Sequence, residues 1–160
     1  MGPIWMEARH KTGAAINDNI WIENPPASSY PACIAVKTAG LQGFEASEIY
    51  LQAVWKAVMV NSMDISKKDI LLEIAYDAGI QKPQILDFQR FADEYDNDES
   101  RDAFRNDLRQ VAYNKIGRFP TMTFTKGGKG IIMTGYRPYE ALVDALKQIQ
   151  TISAGVITSQ

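Results

Sequence analysis

The chain is 160 residues long, 46% hydrophobic, and carries a formal net charge of −2, which suits one folded soluble domain. That balance leaves no electrostatic footprint for nucleic acid or an anionic membrane; no apolar run is long enough to cross a bilayer, and no basic-then-apolar leader opens the sequence. One cysteine, Cys33, and one histidine, His10, exclude an internal disulfide and a multi-histidine metal site, so no metal or cofactor is expected and the cytosol is the default compartment.

Residues 1–27 are the least regular and read as an extended arm. Ile4, Trp5 and Met6 form one apolar patch and Ile20, Trp21 and Ile22 another, with Arg9-His10-Lys11-Thr12-Gly13 looping between them. Trp5 and Trp21 are its natural anchors, and a loop His10 is simply solvated. A helical layer follows over residues 28–115. Ser28 or Ser29 can cap its first helix, with Pro31 in the first turn and Gly43 at the end. The next helix, from about Glu45 to Val60, is apolar over more than half its circumference through Ile49, Leu51, Val54, Trp55 and Val58, and should be central.

Ser66 and Asp69 stand at capping-box spacing before a stripe of Ile70, Leu71, Ile74 and Ala75, which Gly79 closes. Pro83 opens a further helix containing Ile85, Leu86, Phe88 and Phe91. The acidic run Asp93 to Glu99 reads as a solvated turn and a helix N-terminus, where carboxylates suit the dipole. Ala103, Phe104, Leu108, Val111 and Ala112 then share one helical face.

From residue 116 to 150 the pattern changes to β-β-α. Pro120 opens a strand in which Met122 and Phe124 alternate with Thr121, Thr123 and Thr125. Lys126-Gly127-Gly128-Lys129 makes a hairpin turn, not a phosphate loop, because it lacks the Walker spacing and lies between strands. Gly130 to Thr134 returns as the second strand. Pro138 opens a helix with Ala141, Leu142, Ala145, Leu146 and Ile149 on one face, and residues 151–160 fray.

The run Ile116-Gly117-Arg118-Phe119-Pro120-Thr121, the hairpin, and Gly135-Tyr136-Arg137-Pro138-Tyr139-Glu140-Ala141-Leu142 resemble the C-terminal half of DsbA-like thioredoxin-fold proteins. Pro25-Pro26-Ala27-Ser28-Ser29-Tyr30-Pro31-Ala32 looks like the helical insertion of the cytoplasmic branch. The resemblance implies a thioredoxin-like α/β fold with a large helical insertion, of which this chain holds the helical layer and the C-terminal β-hairpin and helix. It also implies a cis proline at Pro120, facing a Cys-X-X-Cys motif and holding substrate backbone. That motif, with the family's first two strands, would lie before Met1, so the chain reads as N-terminally truncated.

On that resemblance the leading function is DsbA-type thiol-disulfide exchange, with Arg118, Phe119 and Pro120 as substrate-binding residues and no catalytic residue in this chain. A protein thiol or disulfide, or glutathione, is the implied partner. The alternatives are a non-catalytic protein adaptor and a glutathione-dependent isomerase or transferase. Arg118 to Pro120 can equally be a structural turn, and Cys33, among Ala32, Ile34 and Ala35, reads as an ordinary buried cysteine. The strand from Thr121 to Thr125 would present an unpaired edge, open to a second copy, another chain or the chain's own N-terminal arm, or left as an aggregation liability.

Overall fold

The structure is a computed structural model that describes residues 2–17 and 19–152, without the side chains of residues 2–5 and 152. The chain divides into two compact units, Met1–Asp107 and Leu108–Gln160. The first holds α1 (Gly2–Thr12), α2 (Ile20–Glu23), α3 (Tyr30–Gly40), α4 (Phe44–Met59), α5 (Lys68–Gln81), α6 (Phe88–Tyr95) and most of α7 (Asp98–Tyr113). The second holds β1 (Thr121–Lys126), β2 (Lys129–Thr134) and α8 (Tyr139–Ile152).

Four helices close a ring in the first unit: α4 packs on α3 and α5, and α6 packs on the same two. Their core includes Ala35, Tyr50, Leu71 and Phe91, all fully buried. Burial pushes the Tyr50 phenol above its ordinary value, so the hydroxyl keeps its proton and donates to the Leu71 carbonyl at 2.9 Å. α4 therefore does occupy the interior, although Trp55 faces outward.

The N-terminal segment is not extended. Residues 2–12 form α1, in which Glu7 and Lys11 pair at 2.6 Å one turn apart, an arrangement that supports a helix with little apolar periodicity. Arg9 and Lys11 lie in its last turn, where cations offset the dipole, and Gly13 ends it at φ +68° with its N–H on the Arg9 carbonyl. Ile20, fully buried, is the principal anchor of the following segment, with Trp21 half-buried beside it. The Trp5 side chain, expected to anchor, and residues 153–160 of the expected fraying tail lie outside the described residues, while residues 151 and 152 of that tail instead complete α8.

Three helix boundaries also differ from the sequence expectation. α3 ends at Gly40, and Gly43 instead precedes α4 at φ +134°. Ser66 caps nothing, because the Asp64 carboxylate holds both its N–H and its hydroxyl. α6 starts at Phe88 rather than Pro83: Asp87 accepts the Arg90 N–H at 3.0 Å, and the Gln42 amide grips the Asp87 backbone through both its N–H and C=O. Asp87→Ala is expected to cost about 1 kcal/mol, read as a lower urea midpoint, with Asp87→Asn close to neutral.

In the second unit β1 and β2 pair antiparallel from Thr121↔Thr134 to Lys126↔Lys129. Gly127 and Gly128 take φ +57° and +76°, the left-handed pair that a two-residue hairpin requires. α8 lies against both strands and buries Ala145 and Ile149. Phe124, Ile131 and Met133 share one sheet face and are half-buried. Leu146, expected on the buried face, stays exposed, since the apolar arc of α8 is broader than the buried strip it forms. Among the described residues no helix is long and apolar enough to cross a membrane.

Candidate functional site

The site is the loop from Gly117 to Pro120, fixed at both ends by backbone bonds. At its start α7 closes with Ile116 N–H on the Val111 carbonyl and Lys115 N–H on that of Ala112, each at 3.0 Å, while Lys115 takes φ +54°. This is the Schellman pattern with a lysine where glycine is usual. At its end the Thr121 hydroxyl donates to the Arg118 carbonyl at 2.6 Å, and Gly135 N–H, at φ +82°, donates to the Pro120 carbonyl at 2.8 Å. The Phe119–Pro120 peptide bond is cis.

Arg118, Phe119 and Pro120 are all exposed on this loop, so the structure brings the three sequence-selected residues together. Phe119 is 75% exposed. Among the described residues its backbone N–H donates to nothing and its C=O accepts nothing, and the Arg118 guanidinium makes no ion pair. β1 continues directly from the loop, and the described sheet has only two strands. With Lys126↔Lys129 closing the hairpin, antiparallel alternation turns the N–H and C=O groups of Thr121, Thr123 and Thr125 away from β2.

Cys33 lies in the other unit, half-buried on α3. Burial raises its thiol pKa, the Asp107 carboxylate adds to this, and Lys37 opposes both more weakly. The helix start that could have activated the thiol is outweighed, and the sulfur is held protonated. His10 is exposed on α1. The acidic run resolves into the end of α6, a turn, and Asp98 and Glu99 in the first turn of α7, but Tyr95 within it is buried and stacked on Phe91. The acidic neighbours of that tyrosine give the run a solvated pattern that hides its burial.

A helical layer followed by a proline loop, a β-hairpin and a packed helix defines a thioredoxin-like α/β protein, mostly helical with a small two-stranded sheet. Residues 4–144 match the family described as Thioredoxin, and the chain belongs to that family. It is 28% identical over 149 residues to a ClpXP adapter protein SpxH of Halalkalibacterium halodurans, covering 91% of this chain and 47% of the relative. The SpxH of Bacillus subtilis is 28% identical over 122 residues, 75% of this chain and 39% of its own length. The chain thus spans about half the length of the curated relatives it matches.

Among solved structures, one from Nitrosomonas europaea, described provisionally as a protein disulfide isomerase, superposes with a TM-score of 0.79 at 26% identity, covering 92% of this chain and 71% of that one. The cytosolic disulfide reductase DsbM of Pseudomonas aeruginosa gives a TM-score of 0.64 at 15% identity over 95% of this chain and 72% of that one, a likeness of fold alone.

Proposed function

We propose that this chain holds an extended polypeptide along Arg118-Phe119-Pro120 and the outer edge of β1, as the client-binding portion of a thioredoxin-fold protein adaptor in the cytosol. The observation that carries this reading is the loop: an exposed Phe119 whose backbone groups no described residue bonds, running into an edge strand that no described strand covers. Such an edge accepts a further strand through main-chain hydrogen bonds. Phe119 then supplies an apolar anchor, and Arg118 a cation for acidic groups on the client. The names of the curated relatives, ClpXP adapter proteins, support the same reading.

DsbA-type thiol-disulfide exchange is the second reading, favoured by the likeness to the Nitrosomonas europaea structure. There the same loop would present a protein thiol, a disulfide or glutathione to a Cys-X-X-Cys pair, which the single Cys33 cannot form. Two assays separate the readings. In dithiothreitol-driven insulin reduction, the chain and its Cys33→Ala variant are both expected to leave the rate of precipitation unchanged. A fluorescein-labelled, S-carboxymethylated insulin B chain, which has no thiol to exchange, is expected to bind saturably. Faster precipitation that disappears in Cys33→Ala, with no B-chain binding, would put exchange first. Self-association that saturates without any B-chain binding would assign the edge to a second copy.

A further inference from the structure

We propose that a cavity walled by α2, α3 and α4 in the helical unit binds an uncharged, aromatic or aliphatic small molecule. Its volume is about 450 Å³, and ligand sites commonly run to roughly 300–1,000 Å³. None of the lining residues is charged. Val54, Val58 and Ile65 are buried and make its floor, with half-buried Trp21 on the wall. Trp55 stands at the mouth, 56% exposed, so a large apolar ring faces solvent beside an apolar hollow.

The polar side chains on the lining are the Ser29 hydroxyl and the Cys33 thiol, besides the indole N–H groups. Water in such a space finds few hydrogen-bond partners, and displacing weakly held water with an apolar group favours binding. A charged ligand would meet no counter-charge on the lining and would lose hydration there with little compensation. The thiol does not alter this, since burial keeps it protonated. A second hollow, of about 470 Å³ between α4 and α5, is by contrast lined by Lys56, Glu73, Asp77 and Lys82. The uncharged lining therefore belongs to the first cavity and not to grooves on this unit in general, and the assignment does not depend on the loop at Phe119.

N-phenyl-1-naphthylamine and its sulfonated analogue 8-anilino-1-naphthalenesulfonate form a matched pair of probes that differ by one charge. The neutral arene is expected to bind the full chain saturably at one site, about tenfold or more tighter than the sulfonate. Val36→Trp, which fills the cavity from α3, is expected to weaken the neutral arene by about tenfold or more. Because Cys33 is the only cysteine, maleimide labelling reads the cavity wall directly, and saturating arene should slow it by about tenfold. Equal affinity for the two probes, unweakened binding in a folded Val36→Trp, or no saturable signal up to the solubility limit would each overturn the assignment. So would unprotected labelling of Cys33, and that measurement on the unmodified chain decides the matter if Val36→Trp does not fold.

Discussion

Replacing Phe91 with alanine is expected to lower the stability of the helical unit by about 3–5 kcal/mol. The ring is fully buried and lies 4.9 Å from the Tyr50 ring and 6.1 Å from the Tyr95 ring, centroid to centroid. It thereby joins α6 to the interior of α4. α3, α4, α5 and α6 pack as a ring, so a hole at Phe91 cannot be closed by moving one helix without loosening another. Tyr50 is also tied to the Leu71 carbonyl, and a ring shift large enough to fill the space would strain that bond. At the usual urea sensitivity of a unit this size the midpoint should fall by roughly 1–3 M, followed by far-ultraviolet circular dichroism. Phe91→Leu, which restores most of the volume, should cost less than about 1.5 kcal/mol. A loss below about 1 kcal/mol for the alanine variant would mean the core relaxes freely and the ring of helices is not a cooperative unit.

The packing behind that result was largely visible in the sequence, because α4, α5 and the hairpin carry strong local patterns. Ile70, Leu71, Ile74 and Ala75 recur at helical spacing, and four of the five β1 residues from Thr121 to Thr125 are β-branched or aromatic. The glycine pair could only be a turn there, and the structure gives both glycines positive φ. The thioredoxin-like class followed from these elements and from the resemblance of the proline loop.

What local pattern could not reveal were choices made by distant residues. The start of α6 is set by Gln42, 45 residues away in sequence, which grips the Asp87 backbone; Pro83 offered a plausible start that nothing in its neighbourhood argued against. Ser66 had the spacing of a cap, but Asp64 captured it first. α1 has no amphipathic stripe, and an ion pair at i,i+4 with basic residues in its last turn was the available clue. Cys33 reads as buried from its apolar neighbours, yet it is half-buried and lines a cavity together with Ala32. The loop residues Arg118, Phe119 and Pro120 were selected by resemblance, whereas the lysine-capped end of α7 that projects them carries no glycine to announce it.

Truncating that loop at Phe119 gives the second large expected effect, on binding rather than folding. Phe119→Ala should weaken S-carboxymethylated insulin B chain by about thirtyfold, the roughly 2 kcal/mol typical of a removed aromatic anchor. Stability should move by less than about 0.5 kcal/mol, since the ring is 75% exposed and packs on little. Arg118→Ala should weaken binding less and should matter less as salt rises, because an exposed cation is screened. The main-chain groups of Thr121, Thr123 and Thr125 survive both changes, so residual binding should remain in the double variant and fall further in Thr123→Pro, whose ring removes an outward N–H in the middle of the edge. Fluorescence anisotropy on the four proteins orders these contributions. An unchanged affinity in Phe119→Ala together with a large loss in Thr123→Pro would mean that backbone pairing alone recruits the client and that the aromatic residue is incidental. The reverse pattern would make Phe119 the recognition element and leave the open edge of β1 to another partner.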